Sequence, residues 1–472
     1  MYSRIAAHNQ ESIAFGEQVA NGLLLGGWLG IFLLLFVGAG IFSYLPCASF
    51  AELGLFGLFV AGLARRGGRW QKTPLDKLVI AVLGLQALAT AWGYLGGFGA
   101  HSPYAPGAYA GGGFGPIQLF TDQCAACAAC YLAIWRAREP LASRTSQYPP
   151  RLSRDPMLFS LVLAAGVVLL LCLIEWGMSF IRASDDPRIK ASFGNPNLLA
   201  SYLILMALPL LGGSLTRACG KETRAAFAVL AVGLLFSLFL SQSRGAWIGA
   251  ALGLAYFVAT VWVHGAMENE VCRHRGKIAL GALAVIGIGA LFFGALVAPK
   301  IEARWHGHSE EERYIIWQAA VEMIRTHPIT GVGAGGFPAA MASLKLKQLN
   351  SFTPSGYPLV PAVHLHAHNL LLHFTAEKGI LGFALGVWLI LAILARSLIL
   401  LAGQRRAGLL LPISAGVGGG LIALLTQCAA DYTLWYAPIS ILTWLLIGFF
   451  FTLTETGTVT DKQNTNNRNN FN

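Results

Sequence analysis

MLFSLVLAAGVVLLLCLIEWGM, residues 157–178, decides the fold class. It carries one charge, Glu175, close to its C-terminal end, and no polar stripe. About 20 apolar residues in a helix cross the hydrocarbon layer of a bilayer, so this stretch reads as a membrane span. Working outward in both directions, segments of the same kind recur at about 19–43, 46–64, 78–99, 117–136, 197–215, 225–241, 246–263, 278–298, 379–400, 408–430 and 438–455, which makes about twelve spans in all. The first is too long for the apolar core of a signal peptide and reads as a retained helix. The fold class expected is an all-α polytopic membrane protein.

Composition supports this. Of 472 residues, 55% are hydrophobic and 12% charged, about half the charge of a soluble domain, and the mean hydropathy is +0.60. A soluble enzyme, a disordered chain and a nucleic-acid binder are excluded. The net charge of +11 is distributed as a membrane protein requires. An even number of spans puts both termini on one side. With them fall Arg4, Arg65–Lys77, Arg136–Arg154, Arg217–Arg224, Arg273–Lys277, Arg396–Arg406, Lys462 and Arg468, or 22 of the 33 lysines and arginines. Lys and Arg concentrate in cytoplasmic loops, so this side is the cytoplasm. The layout is then a cytoplasmic N-terminus (1–18), nine spans (19–298), a large outer loop (299–378), three spans (379–455) and a polar, disordered cytoplasmic tail (456–472). A loop of that length is functional or disordered; helix signals in this one predict a folded cap over the outer mouth.

Those signals start at Ser309-Glu310-Glu311-Glu312, a capping box. Arg325 and His327 suit the far end of the helix, and Pro328 and Gly331 stop it. Arg313 and Trp317, four apart, share one side; Arg313 serves either an ion pair with a nearby Glu or a site. Gly331-Val332-Gly333-Ala334-Gly335-Gly336 matches G-x-G-x-x-G but follows a helix, whereas a dinucleotide fingerprint follows a strand. It reads as a flexible turn whose amides could touch a phosphate. Cys124, Cys127 and Cys130, spaced by three among alanines, read as small side chains at a helix contact.

Ser241-Gln242-Ser243-Arg244-Gly245-Ala246 is a tight outer turn that holds Arg244 at a helix end. A charge there faces a cavity or partner, or else snorkels to headgroups. His364, His366 and His368 alternate before Asn369. Three readings stay open for them: a metal site completed by Glu377 or Asp431, a general base, or a solvated loop. Asn197, after Phe193-Gly194-Asn195-Pro196, can cap the following helix. Asp431-Tyr432 closes span eleven on the same outer side.

Arg244, Arg313 and His368 thus reach one face from three elements. Two guanidiniums can grip a lipid diphosphate by forked hydrogen bonds and stabilise the charge that grows on its leaving oxygen. An imidazole can take the proton of an acceptor hydroxyl.

The chain resembles the O-antigen ligase and polymerase superfamily, whose shared region is the Wzy_C domain. The resemblance rests on Ser243-Arg244-Gly245-Ala246, Arg313-Tyr314-Ile315-Ile316-Trp317, His327-Pro328-Ile329-Thr330-Gly331-Val332-Gly333, Ala367-His368-Asn369 and Glu377-Lys378-Gly379-Ile380-Leu381-Gly382. It is strongest over about 241–385, and Asn195–Ala200 adds to it. It implies a glycosyltransferase of the bacterial inner membrane with its site facing the periplasm. The reaction implied moves a glycan from undecaprenyl diphosphate to an acceptor hydroxyl, with inversion and with no metal or other cofactor. His368 is then the base, Arg244 and Arg313 hold the donor diphosphate, and His364, His366, Asn369, Asn197, Trp317, Glu377 and Asp431 are supporting candidates. Lipid A–core is the acceptor of a ligase, a second lipid-linked glycan that of a polymerase, and a Ser or Thr hydroxyl that of a protein O-oligosaccharyltransferase. A reading from another class is a transporter of a lipid-linked glycan or of a small anion such as bicarbonate; few ionisable groups lie mid-span, which argues against it.

Overall fold

The structure is a computed structural model that describes residues 26–38, 47–66, 68, 70, 72–95, 116–142, 155–182, 188–216, 219–267, 309–347, 364–403 and 410–455. These residues form helices and turns, with no strand among them. The helices are α1 (Gly26–Gly38), α2 (Cys47–Arg65), α3 (Asp76–Leu95), α4 (Pro116–Ala142), α5 (Pro156–Arg182), α6 (Pro196–Leu215), α7 (Lys221–Leu240), α8 (Arg244–Met267), α9 (Ser309–Thr326), α10 (Phe337–Lys347), α11 (Leu370–Leu401), α12 (Leu411–Cys428) and α13 (Ala437–Leu453). Eight of them, α3 to α8, α11 and α12, are long and apolar enough to cross a membrane. α1 and α13 are apolar but shorter. The expected span at 278–298, both termini and parts of the large loop lie outside the described residues.

Apolar helices gain no hydrophobic driving force against each other in lipid, so close packing through small residues holds them. α12 supplies Gly416, Gly418, Gly419 and Gly420. A β-carbon at Gly249 or Gly253 of α8 would strike the carbonyls of Ala423 or Gly419, and one at Gly416 would strike that of Leu208 in α6. α6, α8 and α12 therefore meet backbone to backbone. α13 approaches α4 in the same way, Gly448 against the Cys130 carbonyl. Cys127 and Cys130 are buried free thiols at that seam, which agrees with the packing reading.

Among the described residues, Arg66, Arg136, Arg138 and Arg396 gather at one end of the bundle. There Arg396 donates to Thr454 Oγ1 at 2.6 Å and to the Phe451 carbonyl at 2.7 Å. Arg138 donates to Glu455 Oε2 at 3.1 Å, Arg136 pairs with Asp155 at 2.7 Å, and Arg66 lies over the Trp135 ring. The opposite end carries the N-termini of α6, α8, α11 and α13 and the C-terminus of α12.

Three local expectations change. The residue that caps α6 is Asn195, not Asn197: its Oδ1 accepts the Asn197 N–H at 2.8 Å, with Pro196 in the first turn. Pro has no N–H to satisfy there, so the cap serves the next residue. The helix that carries the tenth span begins at Leu370 rather than 379; the chain bends at Gly379, where φ is +61°. Finally, the 331–336 turn is pinned rather than flexible. Val332 and Gly333 donate to the carbonyls of Ala376 and Glu377, Ala334 to that of Ala89, and Gly335 to Glu377 Oε1 at 3.0 Å. Amides engaged in this way have no hydrogen left for a phosphate.

Candidate active site

The segment 364–369 enters α11 under tight control. The Asn369 side chain caps α11 by accepting the Leu372 N–H at 3.0 Å and donates to the Ala429 carbonyl at 2.9 Å. One residue earlier, His368 has φ of +49°. A non-glycine residue in the left-handed region costs of order 1 kcal/mol, and such strain persists where the surroundings over-determine it. Here the surroundings are the Asn369 cap, the Ala429 contact and Asp431. Trp317 of α9 adds a fourth tie by donating its indole N–H to the Ala367 carbonyl at 2.9 Å.

His368 Nδ1 lies 2.8 Å from Asp431 Oδ1. Asp431 follows α12 and is buried, with 6% of its surface exposed; its Oδ1 also accepts the Tyr432 N–H at 2.9 Å. Burial alone would raise its pKa. The hydrogen bond from His368 and the nearby positive charge, Arg313 included, outweigh that and hold it below the ordinary carboxylate value. An ionised carboxylate only accepts, so the proton of the pair sits on Nδ1 and the Nε2 lone pair is left for a substrate.

Buried polar groups fix Asp431 from behind. Ser201 Oγ of α6 lies 3.1 Å from Gln427 Oε1 and 2.9 Å from Thr433 Oγ1. Gln427 donates to the Asn197 carbonyl at 2.9 Å, and the Asp431 N–H donates to the Gln427 carbonyl at 2.9 Å. Asn197 thus contributes through its backbone. Ser201, Gln427 and Thr433 carry no motif, and nothing in the sequence pointed to them.

Arg313 lies near enough for its charge to act on Asp431, and it stands on the side of α9 that Trp317 uses. The side chains of Glu310, Glu311 and Glu312, the ion-pair partners expected for Arg313, lie outside the described residues. Arg244 is the first residue of α8 and is exposed. Its neighbour Gly245 sits against Gln427 and Ala430, beside Asp431. The three residues expected to converge are therefore at one end of the bundle, around the C-terminus of α12.

Of the other histidines, His366 lies closest, its ring 4.3 Å from that of His368 and stacked at 5.3 Å on Trp435. Burial, with His368 second, pushes its pKa down to about 3, so it stays neutral. The His364 ring is 6.1 Å from that of His368. Glu377 is buried (4% exposed) and grips the 331–336 turn, with Oε2 3.5 Å from His373 Nε2. His366, His368 and Asp431 also offer three ligand atoms within 4.8 Å of one another. They could hold a divalent cation, and two of the three residues are already joined by the Nδ1–Oδ1 hydrogen bond.

Residues 227–387 match a family model described as O-Antigen ligase. This segment is a Wzy_C domain. The expected superfamily is thereby met. The Wzy_C domain holds Arg244, Arg313, Trp317, the three histidines, Asn369 and Glu377, whereas Asn197 and Asp431 lie outside it. The partner that orients the domain's histidine is therefore supplied from beyond the matched segment. No curated protein matches the chain.

Proposed function

We propose that the protein is an inverting glycosyltransferase of the bacterial inner membrane, an O-antigen ligase that moves a glycan from undecaprenyl diphosphate to a lipid A–core hydroxyl at the periplasmic face. The His368–Asp431 contact at 2.8 Å is the observation that carries this reading. An imidazole whose Nδ1–H is held by an ionised carboxylate presents Nε2 as a base, the logic by which a carboxylate orients a catalytic histidine in hydrolases. The acceptor hydroxyl gives its proton to Nε2 as its oxygen bonds to the anomeric carbon. The sugar–phosphate bond breaks on the opposite face, and the diphosphate leaves with its electron pair. Arg313, and Arg244 beside the same helix end, neutralise that charge as it develops. The donor is already activated, so the reaction needs no ATP.

The test is transfer by purified protein from undecaprenyl-diphosphate glycan to lipid A–core, a second lipid-linked glycan or a Ser/Thr peptide, each offered separately. Transfer to lipid A–core is expected. Gain of sugar by the second lipid-linked glycan instead would make the protein a polymerase. His368→Ala should lower turnover about 10²–10⁴-fold, the worth of a general base. Arg313→Lys should restore little of what Arg313→Ala loses, because an ammonium lacks the fork. A chelator should leave the rate unchanged; loss restored by zinc would assign His366, His368 and Asp431 to a metal.

A further inference from the structure

Behind the His368–Asp431 pair lies a cavity enclosed by α3, α4, α11 and the start of α13. Tyr432 and Trp435 form the wall between the two: Tyr432 follows Asp431, Trp435 stacks on His366, and both line the cavity. Gln86 lies one turn before Ala89 on α3, whose carbonyl accepts the Ala334 N–H, and Ser440 lies one turn into α13. The cavity thus lies beside the end of the bundle that bears the site.

Its lining is of two kinds. Gln86, Asp122, Gln123, Glu377 and Lys378 present amides, carboxylates and an ammonium. Phe374, Tyr432, Trp435 and Trp444 present aromatic surface. Gln86 is 4% exposed, and its amide makes no hydrogen bond among the described residues. His373, 5% exposed, also lines the space, and its Nδ1 has no partner there. Unpaired polar groups in an apolar bundle cost of order 1–3 kcal/mol each, which makes them strong selectors of what fills the space.

Three ligand chemistries compete. Asp122 already accepts from Gln118 at 2.6 Å and Lys378 lies over the Phe374 ring, so a hydrocarbon chain would leave the Gln86 amide and His373 Nδ1 unpaired, at their desolvation cost. An anion would meet two carboxylates, Asp122 and Glu377, against one ammonium and no guanidinium. A neutral polyhydroxyl ring suits both halves of the lining. Its hydroxyls donate to carboxylates and accept from amides, and its C–H face lies on aromatic rings. We propose that this cavity is a saccharide subsite that holds one pyranose ring of the glycan substrate against Trp435, Trp444 and the Gln86 amide. That the ring belongs to the substrate rests on the transferase reading above; the binding of a saccharide does not.

The test uses full-length protein in detergent and saturation-transfer NMR with the methyl glycosides of glucose, galactose, N-acetylglucosamine, mannose and rhamnose. At least one glycoside should receive saturation, and Gln86→Leu should weaken its binding about tenfold, the worth of one good hydrogen bond. If Gln86→Leu does not fold, Trp444→Leu carries the same expectation. No glycoside bound, or one bound equally by variants that melt as the parent does, would overturn the subsite. His368→Ala should lose transfer and keep glycoside binding. A parent protein that binds glycosides and transfers no glycan would remove the transferase reading alone; one that transfers glycan and binds no glycoside would remove the subsite alone.

Discussion

The oxygen Asp431 Oδ1 accepts from two directions, the His368 imidazole and the Tyr432 amide. Asp431→Asn keeps the shape but offers an amide that can turn its NH₂ to Nδ1, which selects the wrong tautomer. Turnover should fall by about 10⁴-fold, as in hydrolases with the same substitution, while melting in detergent stays close to the parent. An Asp431→Asn protein with full turnover would free His368 from its supposed partner. His366 makes a separate prediction. Folding pushes its pKa from the ordinary 6.5 to about 3, through burial first. The unfolded chain therefore takes up a proton near pH 6.5 that the folded chain refuses until about pH 3, so stability drops as pH falls across that window. Asp431 acts lower: its folded value lies below the ordinary 3.8, so its contribution is full above that value and lost as pH falls through the folded one. Melting temperature should decline from pH 7 to pH 4, and His366→Phe should flatten the decline. An unchanged slope would show that His366 takes no part.

At the scale of elements, the bend at Gly379 joins the outer-loop helices to the bundle. Ile380 donates to the Pro328 carbonyl at 2.9 Å, and a β-carbon at position 379 would strike the Ile329 carbonyl. Gly331 fits as tightly against the backbone of Glu377. Gly379→Ala adds that collision to a left-handed φ, which alone costs about 1–2 kcal/mol. The variant should melt well below the parent and, where folded, lose turnover, because α9 carries Arg313 to the site. Normal melting together with normal turnover would mean that the loop helices do not depend on this joint. The capping box and stop signals placed α9 well in the sequence. The N-cap of α6 was off by two residues, since Asn195 and Asn197 flank one proline and only backbone geometry tells them apart.

At the scale of the whole molecule, the described side chains Arg66, Arg136, Arg138 and Arg396 lie at one end and the candidate site at the other. If the basic end is cytoplasmic, alkaline phosphatase fused after Arg405 should be inactive and fused after Ala340 active. The reverse pattern would put the site in the wrong compartment for a periplasmic transfer. The polar cavity under the site also alters a sequence-level impression. Asp122 and the adjacent pair Glu377-Lys378 lie 255 positions apart in the chain, and folding lines one space with them.

Apolar runs, capping signals and loop charge determined the helical membrane class and most of the described helix positions, and they singled out Arg244, Arg313 and His368 as candidates, because these features act within a turn or two of the chain. The pairing of His368 with Asp431, the burial of Glu377 against a glycine turn, and the Ser201–Gln427–Thr433 network were decided by tertiary structure. Their partners lie 63, 42 and more than 200 residues apart. Hydrogen bonds at such separations leave no periodicity and no local spacing, so only the packing of helices through small residues brings them together.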